Sequence, residues 1–287
     1  MKRIAFIGVG VMGTGMVRNL MKNGYEVNIY SRTKSKAEKL ITEGAVWKDS
    51  IAECIQGREV IITIVGYPQD VEEVYFGEDG IIKNADKGSF LIDMTTTSPE
   101  LSIAIYKEAK DRALKALDAP VSGGDVGANN GTLAIMVGGE EEAFQACVPI
   151  FQALGNNIVY QGGPGAGQHT KMANQIAIAG AVAGVCEAIT YAMGAGLDVE
   201  RLIETIGKGA AGSWQLTNIG PKMYKEDYAP GFYLKHFIKD MKIAQGESLR
   251  FNKELPVLGT VLDIYKALEE KGFGDLGTQG IIKHYKG

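Results

Sequence analysis

Short runs of β-branched and aromatic residues alternate with helical patterns up to about residue 160. This alternation is typical of a parallel sheet covered by helices on both faces. The pattern predicts strands over Arg3–Ile7, Glu26–Tyr30, Val60–Ile64, Phe90–Asp93, Ala116–Asp118, Leu133–Val137 and Asn157–Tyr160. It predicts helices over Met12–Lys22, Ser35–Glu43, Pro68–Phe76, Pro99–Arg112 and Glu140–Leu154. Glycines close three of these helices, and we expect left-handed backbone at Gly24, Gly44 and Gly155.

The pattern changes after the glycine-rich segment Gly162–Gly165. Strand-like alternation stops there, and long helical patterns rich in alanine, isoleucine, leucine and glutamate follow. We therefore predict an α/β fold in which a doubly wound domain, residues 1–163, is followed by an all-helical domain, residues 164–287.

The first helix of the second domain is predicted from about Gly167 to Ala195, with almost no charge between Gln175 and Glu187. A helix that is apolar on all sides is buried on all sides. One small domain cannot cover it alone, so we expect a homo-oligomer in which a partner subunit completes the cover. The longest apolar stretch, Ile176–Cys186, is shorter than the roughly 20 residues of a membrane span, so we expect no membrane insertion.

Composition and charge narrow the class of protein. The 287 residues are 45% hydrophobic with a formal net charge of -4, and scattered basic residues predict no nucleic-acid partner. The cysteines Cys54, Cys147 and Cys186 fit no metal-ligand spacing, which predicts buried thiols, no metal site and a reducing compartment. The apolar stretch Ile4–Ile7 meets a glycine too soon to be the hydrophobic region of a signal peptide, so we expect a cytoplasmic protein.

A glycine-rich turn follows the first predicted strand and opens the first predicted helix. It has the pattern G-x-G-x-x-G and consists of Gly8, Val9, Gly10, Val11, Met12 and Gly13. In such a strand–turn–helix unit the glycines permit the tight turn, close backbone approach to a pyrophosphate and close helix-to-strand packing, while the helix N-terminus attracts phosphates. The turn therefore predicts a dinucleotide site. The alternative is a plain strand-to-helix turn.

The end of the second strand selects between the two nicotinamide dinucleotides. An acidic residue there would bond the ribose 2′-hydroxyl of NAD, whereas this chain has Ser31, Arg32, Thr33 and Lys36. Arg32 can stack on and pair with a 2′-phosphate, and the hydroxyls can donate hydrogen bonds to it. We therefore predict NADP, with NAD as the alternative. The alternative role of Arg32 and Lys36 is that of solvated residues at a helix start.

A second glycine-rich segment, at the end of the strand Ala116–Asp118, offers polar groups for a substrate. Ser122 supplies a hydroxyl, and Gly123 and Gly124 supply backbone amides. These groups suit a substrate carboxylate at the carboxyl edge of the sheet. The alternative is a mobile surface loop.

A lysine lies in about the first turn of the long helix. This residue, Lys171, precedes Asn174 and Gln175 by one turn. The helix dipole and partial burial should lower the pKa of Lys171 toward the range useful for protonating a carbonyl oxygen. The alternative is an idle surface charge. The neighbouring His169 we interpret as structural.

Several segments together resemble the β-hydroxyacid dehydrogenase family, which includes 3-hydroxyisobutyrate dehydrogenases, tartronate semialdehyde reductases and glyoxylate/succinic semialdehyde reductases. They follow the family's order across both predicted domains. The matching segments are FIGVGVMG at 6–13, DMTTTSP at 93–99, DAPVSGG at 118–124 with GTLAIMVGG at 131–139, GAGQHTKMANQ at 165–175, and Lys239-Asp240.

The resemblance implies that Lys171 is the catalytic residue. It implies a fold that joins a doubly wound dinucleotide-binding domain to a helical domain, usually in a homodimer or homotetramer. It implies substrate contacts for Ser122, Gly123, Gly124 and Asn174, and positions beside the cofactor for Val65 and Thr96. It further implies that Lys239 and Asp240 close over the cofactor and substrate and that Phe232 narrows the substrate pocket.

Three departures from the family's pattern bear on the substrate. Gln175 stands where many members have a second asparagine, which is closer to the tartronate semialdehyde reductases, and we count it with the substrate-binding residues. The Ser31-Arg32-Thr33 turn is similar to the NADPH-using glyoxylate and succinic semialdehyde reductases. Gly66-Tyr67 replaces the more usual Leu-Pro pair.

These observations predict an NADPH-dependent reductase of short aldehyde or keto acids, such as glyoxylate, succinic semialdehyde or tartronate semialdehyde, with Lys171 as proton donor. One alternative is an NAD-dependent 3-hydroxyisobutyrate dehydrogenase. An alternative of another class is a non-catalytic nucleotide-binding or assembly module, against which Lys171 and Asn174 argue.

Overall fold

The computed structural model describes residues 1–286 and divides the chain into two units, Met1–Lys171 and Met172–Gly287. The first unit is built on one sheet, with strands β1 Arg3–Ile7, β2 Glu26–Tyr30, β3 Val46–Trp47, β4 Val60–Thr63, β5 Phe90–Asp93, β6 Lys115–Asp118, β7 Val121–Ser122, β8 Leu133–Gly139 and β9 Gly155–Gly162. The seven predicted strands are confirmed, with small shifts of their ends. The two-residue strands β3 and β7 were missed because so short a run has no periodicity.

Within the sheet the order is β3-β2-β1-β4-β5-β6-β8-β7, and β9 pairs with β8. Strands β1 to β6 pair in parallel, β8 runs antiparallel to β6 and β7, and β9 is parallel to β8. The expected parallel sheet is therefore confirmed for β1 to β6 and wrong for β8 and β9, because hydrophobic alternation is the same in either strand direction. The carboxyl ends of β1 to β6 share one edge, where ligands of such sheets bind.

Helices of the first unit connect the strands. They are α1 Val11–Lys22, α2 Glu38–Thr42, α3 Ile51–Ile55, α4 Pro68–Phe76, α5 Ile81–Asn84, α6 Pro99–Asp111, α7 Gly124–Asn130 and α8 Glu141–Leu154, and a 3₁₀ turn, Lys34–Ala37, precedes α2. Gly24 and Gly44 have the expected left-handed backbone, with φ of 79° and 113°. The expectation for Gly155 is wrong, since its φ is -156°. A Cβ on Gly155 would overlap the carbonyl oxygen of Leu133, so close strand packing explains this glycine.

Side chains of the central strand β1 alternate between two apolar clusters. Ile4 and Phe6 join the cluster that includes the buried face of α1, whereas Ala5 and Ile7 join the cluster that includes α4. All four residues are buried. Both faces of the sheet are therefore covered by helices, as a doubly wound sheet requires.

The second unit is helical over the residues that are described. The long helix α9 Ala166–Gly194 runs into it, and α10 Val199–Ile206, a π-helical segment Gln215–Ile219, α11 Gly220–Tyr224, α12 Leu234–Arg250, α13 Pro256–Glu270, a 3₁₀ turn Thr278–Ile281 and α14 Ile282–Tyr285 follow. An isolated antiparallel bridge joins Tyr233 and Gly277. The helical character predicted beyond the sheet is thus confirmed.

Only one face of α9 is buried within the chain. Met172, Val182 and Ile189 belong to the apolar cluster of the second unit, whereas Ala177 and Tyr191 are exposed. The single chain therefore leaves part of this apolar helix uncovered, as the expectation of a partner subunit requires, and burial on all sides stays a prediction for the assembly. By length and composition this described helix could cross a membrane, with a mean hydropathy of 1.7 over its most apolar 18 residues, but a core helix passes the same test.

Candidate active site

The glycine-rich turn has the geometry that its pattern predicts. Gly8 has a φ of 106°, and a Cβ there would overlap the carbonyl oxygen of Ile64. A Cβ on Gly13 would overlap the carbonyl oxygen of Gly8, so this glycine permits close packing of α1 on β1. At Gly10, by contrast, a Cβ would meet nothing within 4 Å. Two of the glycines therefore shape the turn, and Gly10 leaves its outer surface open.

The N-terminus of α1 is suited to an anion. Its N-cap is Gly10, which offers no side chain as an acceptor, and the first turn has no acidic residue. The backbone amides of the first turn and the positive end of the helix dipole therefore face the open surface of the turn. The pyrophosphate of a dinucleotide fits this arrangement.

Beside this turn, the residues predicted to select the cofactor lie at the exposed end of β2. Arg32, Thr33 and Lys36 are exposed and Ser31 is half-buried. Arg32 Nη1 lies 2.8 Å from Asp70 Oδ1, a pairing that the sequence did not indicate.

A capping interaction fixes Asp70. Its second oxygen, Oδ2, accepts a hydrogen bond of 3.0 Å from the backbone amide of Tyr67 at the start of α4. The Asp70 side chain is 15% exposed, whereas Arg32 is 73% exposed. An anchored carboxylate therefore pairs with an exposed guanidinium at the position where a 2′-phosphate is predicted.

The segments after β4 and β5, which contain Val65 and Thr96, are joined through Thr95. The backbone amide of Val65 donates to Thr95 Oγ1 (3.0 Å), and the backbone amide of Thr95 donates to Asp93 Oδ1 (3.1 Å). Thr63 Oγ1 also donates to Asp93 Oδ1 (2.8 Å). Burial raises the pKa of Asp93 to about 6, against the opposing effect of the hydrogen bonds from Thr95 and Thr63.

A buried carboxylate at the end of β6 anchors the start of α9. Asp118 Oδ1 accepts from the backbone amide of Gly165 (2.8 Å), and Oδ2 accepts from that of Gln168 (2.9 Å). Burial raises the pKa of Asp118, and these backbone hydrogen bonds oppose the shift. A Cβ on Gly167 would lie 2.7 Å from the Asp118 carbonyl oxygen, so this glycine permits the close approach.

The side chain of Gln168 is completely buried and forms two hydrogen bonds. Its Oε1 accepts from the backbone amide of Thr97 (3.1 Å), and its Nε2 donates to the carbonyl oxygen of Thr95 (2.7 Å). Sequence reasoning missed the roles of Asp118 and Gln168. The available signal was that both are polar residues within glycine-rich segments that otherwise supply backbone.

Lys171 is buried rather than idle on the surface. Only 6% of it is exposed, and Nζ donates a hydrogen bond of 2.8 Å to the carbonyl oxygen of Val121. Val121 precedes the predicted substrate segment, in which Ser122 is half-buried and Gly123 and Gly124 have φ of 133° and 62°. The structure thus brings the predicted proton donor to the predicted substrate segment. His169 is exposed.

Hydrogen bonds and an ion pair connect four of the predicted site residues of the second unit. Asn174 Nδ2 donates to Gln175 Oε1 (2.8 Å), and Gln175 Nε2 donates to Asp240 Oδ2 (2.6 Å). Lys239 Nζ lies 2.9 Å from Asp240 Oδ1, and Asp240 is 1% exposed. Gln175 therefore orients Asp240, which the sequence did not indicate.

Phe232, the aromatic residue predicted to narrow the substrate pocket, is exposed. It is 37% exposed, and its ring packs edge-on against Phe237 at a centroid distance of 6.0 Å.

No group of His, Cys, Asp and Glu among the described residues could hold a metal ion.

Comparison with known proteins gives matches over the whole chain. Residues 3–163 match the NAD binding domain of 6-phosphogluconate dehydrogenase, and residues 165–285 match the family described as NAD-binding of NADP-dependent 3-hydroxyisobutyrate dehydrogenase. An uncharacterized oxidoreductase of Bacillus subtilis is 55% identical over 98% of both chains. The 2-hydroxy-3-oxopropionate reductase of Escherichia coli is 34% identical over 98% of this chain and 96% of its own.

A solved structure extends the similarity to the fold. The 3-hydroxyisobutyrate dehydrogenase of Mycobacterium tuberculosis, determined with L-serine, superposes with a TM-score of 0.91. It is 28% identical, and the match covers 100% of both chains.

Proposed function

Because the chain belongs to the β-hydroxyacid dehydrogenase family of NAD(P)-dependent oxidoreductases, we propose that it reduces short aldehyde or keto acids with NADPH. The substrates we propose are glyoxylate, succinic semialdehyde and tartronate semialdehyde. The observation that supports this proposal is the buried Lys171, whose ammonium group reaches the backbone beside Ser122. A buried ammonium group is costly unless it is hydrogen-bonded, and buried titratable groups are concentrated at functional sites.

Each residue in the proposed reaction binds, orients or transfers a proton. Bound NADPH supplies the hydride that adds to the carbonyl carbon. Lys171 donates a proton from Nζ to the carbonyl oxygen, so that the aldehyde becomes a hydroxyl group and the lysine is reprotonated from solvent. The substrate carboxylate binds to Ser122, Gly123, Gly124, Asn174 and Gln175. Oxidation of a β-hydroxy acid uses the same groups in reverse.

The remaining predicted residues hold the cofactor or close the site. The turn formed by Gly8, Val9, Gly10, Val11, Met12 and Gly13 would bind the pyrophosphate. Ser31, Arg32, Thr33 and Lys36 would bind the 2′-phosphate, and Val65 and Thr96 would contact the nicotinamide. Lys239 and Asp240 close over the ligands, and Phe232 narrows the substrate pocket. The active assembly is a homodimer or homotetramer.

A panel of short aldehyde and keto acids, assayed with NADPH and with NADH, tests this function. We expect turnover of at least one aldehyde acid with kcat/KM higher for NADPH than for NADH. Arg32→Ala should reduce that preference about tenfold or more, because charge-assisted bonds to the phosphate are lost. Arg201→Ala, at an exposed arginine of the second unit, is the matched control and should leave the preference unchanged.

A second candidate is NAD-dependent oxidation of 3-hydroxyisobutyrate or a similar β-hydroxy acid. Asp70 favours it, because the carboxylate paired with Arg32 repels a 2′-phosphate. Higher kcat/KM with NAD and a hydroxy acid than with NADPH and any aldehyde acid would establish this reading. Tight cofactor binding without any turnover would instead indicate a non-catalytic module.

A further inference from the structure

The side chain of Gln168 forms two hydrogen bonds whose role is explained neither by the family matches nor by the proposed chemistry. Its amide group bonds to the backbone on both sides of Thr96, accepting from Thr97 and donating to Thr95. The chemistry of the two partners fixes the orientation of the amide, since one is an N–H and the other a carbonyl oxygen. Gln168 therefore holds both ends of the Thr95–Thr97 segment, and Asp93 also accepts from the Thr95 amide.

The other end of Gln168 is equally constrained. Its backbone amide donates to Asp118, which also binds Gly165, so the first turn of α9 is fixed to the end of β6. Thr95 is in turn bonded to the backbone of Val65. Gln168 thus joins the two segments proposed to lie beside the nicotinamide to the start of the long helix.

Lys171 follows Gln168 by three residues on that helix, a spacing that places the two side chains on neighbouring positions of one face. Gln168 is completely buried and Lys171 is 6% exposed. A completely buried polar side chain therefore bonds to the segment assigned to hydride delivery and lies one helical turn before the group assigned to proton delivery.

We propose that Gln168 is a positioning residue that sets the distance between the nicotinamide and Lys171. This inference rests on the proposed function. The hydride must reach the carbonyl carbon while Lys171 faces the oxygen of the same carbonyl, and a displacement of about 1 Å in such an arrangement can cost about 100-fold in rate. Because Gln168 bonds to the residues on both sides of Thr96, it fixes the position of the nicotinamide relative to that of Lys171.

Gln168→Met tests the proposal, because methionine has a similar size but neither hydrogen-bonds to Thr97 nor donates to Thr95. We expect kcat to fall about 10- to 100-fold, with Kd for NADPH within about threefold of wild type. The primary isotope effect on kcat with deuterated NADPH should rise, because the chemical step becomes slower relative to product release. Ser102→Ala, which removes a buried hydroxyl without a hydrogen-bond partner among the described residues, is the control and should change neither quantity.

Gln168→Glu provides a readout that a merely structural role would not move. A neutral carboxylic acid can donate to Thr95 and accept from Thr97, whereas a carboxylate cannot donate. Relative to wild type, kcat should therefore be near normal at low pH and fall as the introduced carboxyl ionises, with Kd for NADPH unchanged. Parallel pH profiles for wild type and Gln168→Glu, or kcat of Gln168→Met within about threefold of wild type, would overturn the proposal.

Amide hydrogen exchange separates this inference from the proposed function. The Thr97 amide should exchange faster in Gln168→Met than in wild type or Ser102→Ala, whatever the substrate, because its acceptor is lost. Unchanged exchange at Thr97 contradicts the inference. Absence of turnover in wild-type protein over the whole substrate panel contradicts the proposed function, while the exchange measurement still reports on Gln168.

Discussion

Two regions of the first unit, the end of β2 and the start of α9, contrast in how they hold their charged residue. Arg32 is 73% exposed and is held by one ion pair to Asp70, whereas Lys171 is 6% exposed and lies one turn after the completely buried Gln168. Exposed pairs contribute little and rearrange easily, while buried polar groups require fixed partners. We therefore expect substitutions at the end of β2 to change cofactor preference by less than substitutions at the start of α9 change the reaction rate.

Replacing Lys171 should have the largest effect. Lys171→Met keeps the length of the side chain but removes the proton donor, and we expect kcat to fall about 10²- to 10⁴-fold, the usual contribution of a general acid. Kd for NADPH should change little. Stopped-flow measurement of a single turnover checks this directly. A single-turnover rate within about threefold of wild type would mean that the buried lysine has another role.

Asp93, in the same buried region, should make stability depend on pH. Its pKa is about 6 in the folded protein and about 3.9 when unfolded, so its contribution to stability is fully present below about pH 4 and is lost as pH rises through 6. Asp93→Asn keeps an acceptor for Thr63 and Thr95 and does not titrate. We expect it to raise the free energy of unfolding at pH 8 by at most about 3 kcal/mol, and hardly at all at pH 4.

Urea denaturation at both pH values measures this difference. Asp111→Asn, at an exposed position at the end of α6, serves as the control and should give the same small change at each pH. A gain for Asp93→Asn that is equal at pH 4 and pH 8 would show that the carboxyl of Asp93 does not titrate as described.

The smallest effect is expected at the exposed end of β2. Asp70→Asn retains an acceptor for the Tyr67 amide but removes the charge paired with Arg32. An exposed ion pair contributes up to about 1 kcal/mol, so Kd for NADP should fall about two- to fivefold while Kd for NAD stays the same. Isothermal titration with both cofactors measures the change. Weaker NADP binding would show that Asp70 orients Arg32 for the phosphate rather than competing with it.

The same contrast explains which features the sequence could predict. Gly13 packs against the carbonyl oxygen of Gly8, which is local in sequence, and the turn was predicted with its neighbouring strand and helix, whereas the close approach of Gly8 to Ile64 was not. Asp70 pairs with Arg32 across 38 residues, and Gln168 reaches Thr97 across 71. No periodicity or spacing encodes such contacts, because they depend on how the strand ends come together.

Errors in the fold predictions have a similar origin. The position of β8 was predicted but its antiparallel direction was not, since direction is set by the connections rather than by the alternation of side chains. The backbone conformation of Gly155 was mispredicted because a glycine is required there by close packing against a neighbouring strand and not by the end of α8.

Transfer of isotope from the cofactor to the substrate tests the central claim most directly. NADPH deuterated at the transferable C4 position is incubated with wild-type protein and the best aldehyde acid of the panel, and the product is analysed by mass spectrometry and NMR. We predict one deuterium on the carbon that bears the new hydroxyl group, and loss of this product in Lys171→Met. A hydroxy acid without deuterium at that carbon, or equal labelled product from Lys171→Met, would contradict the account.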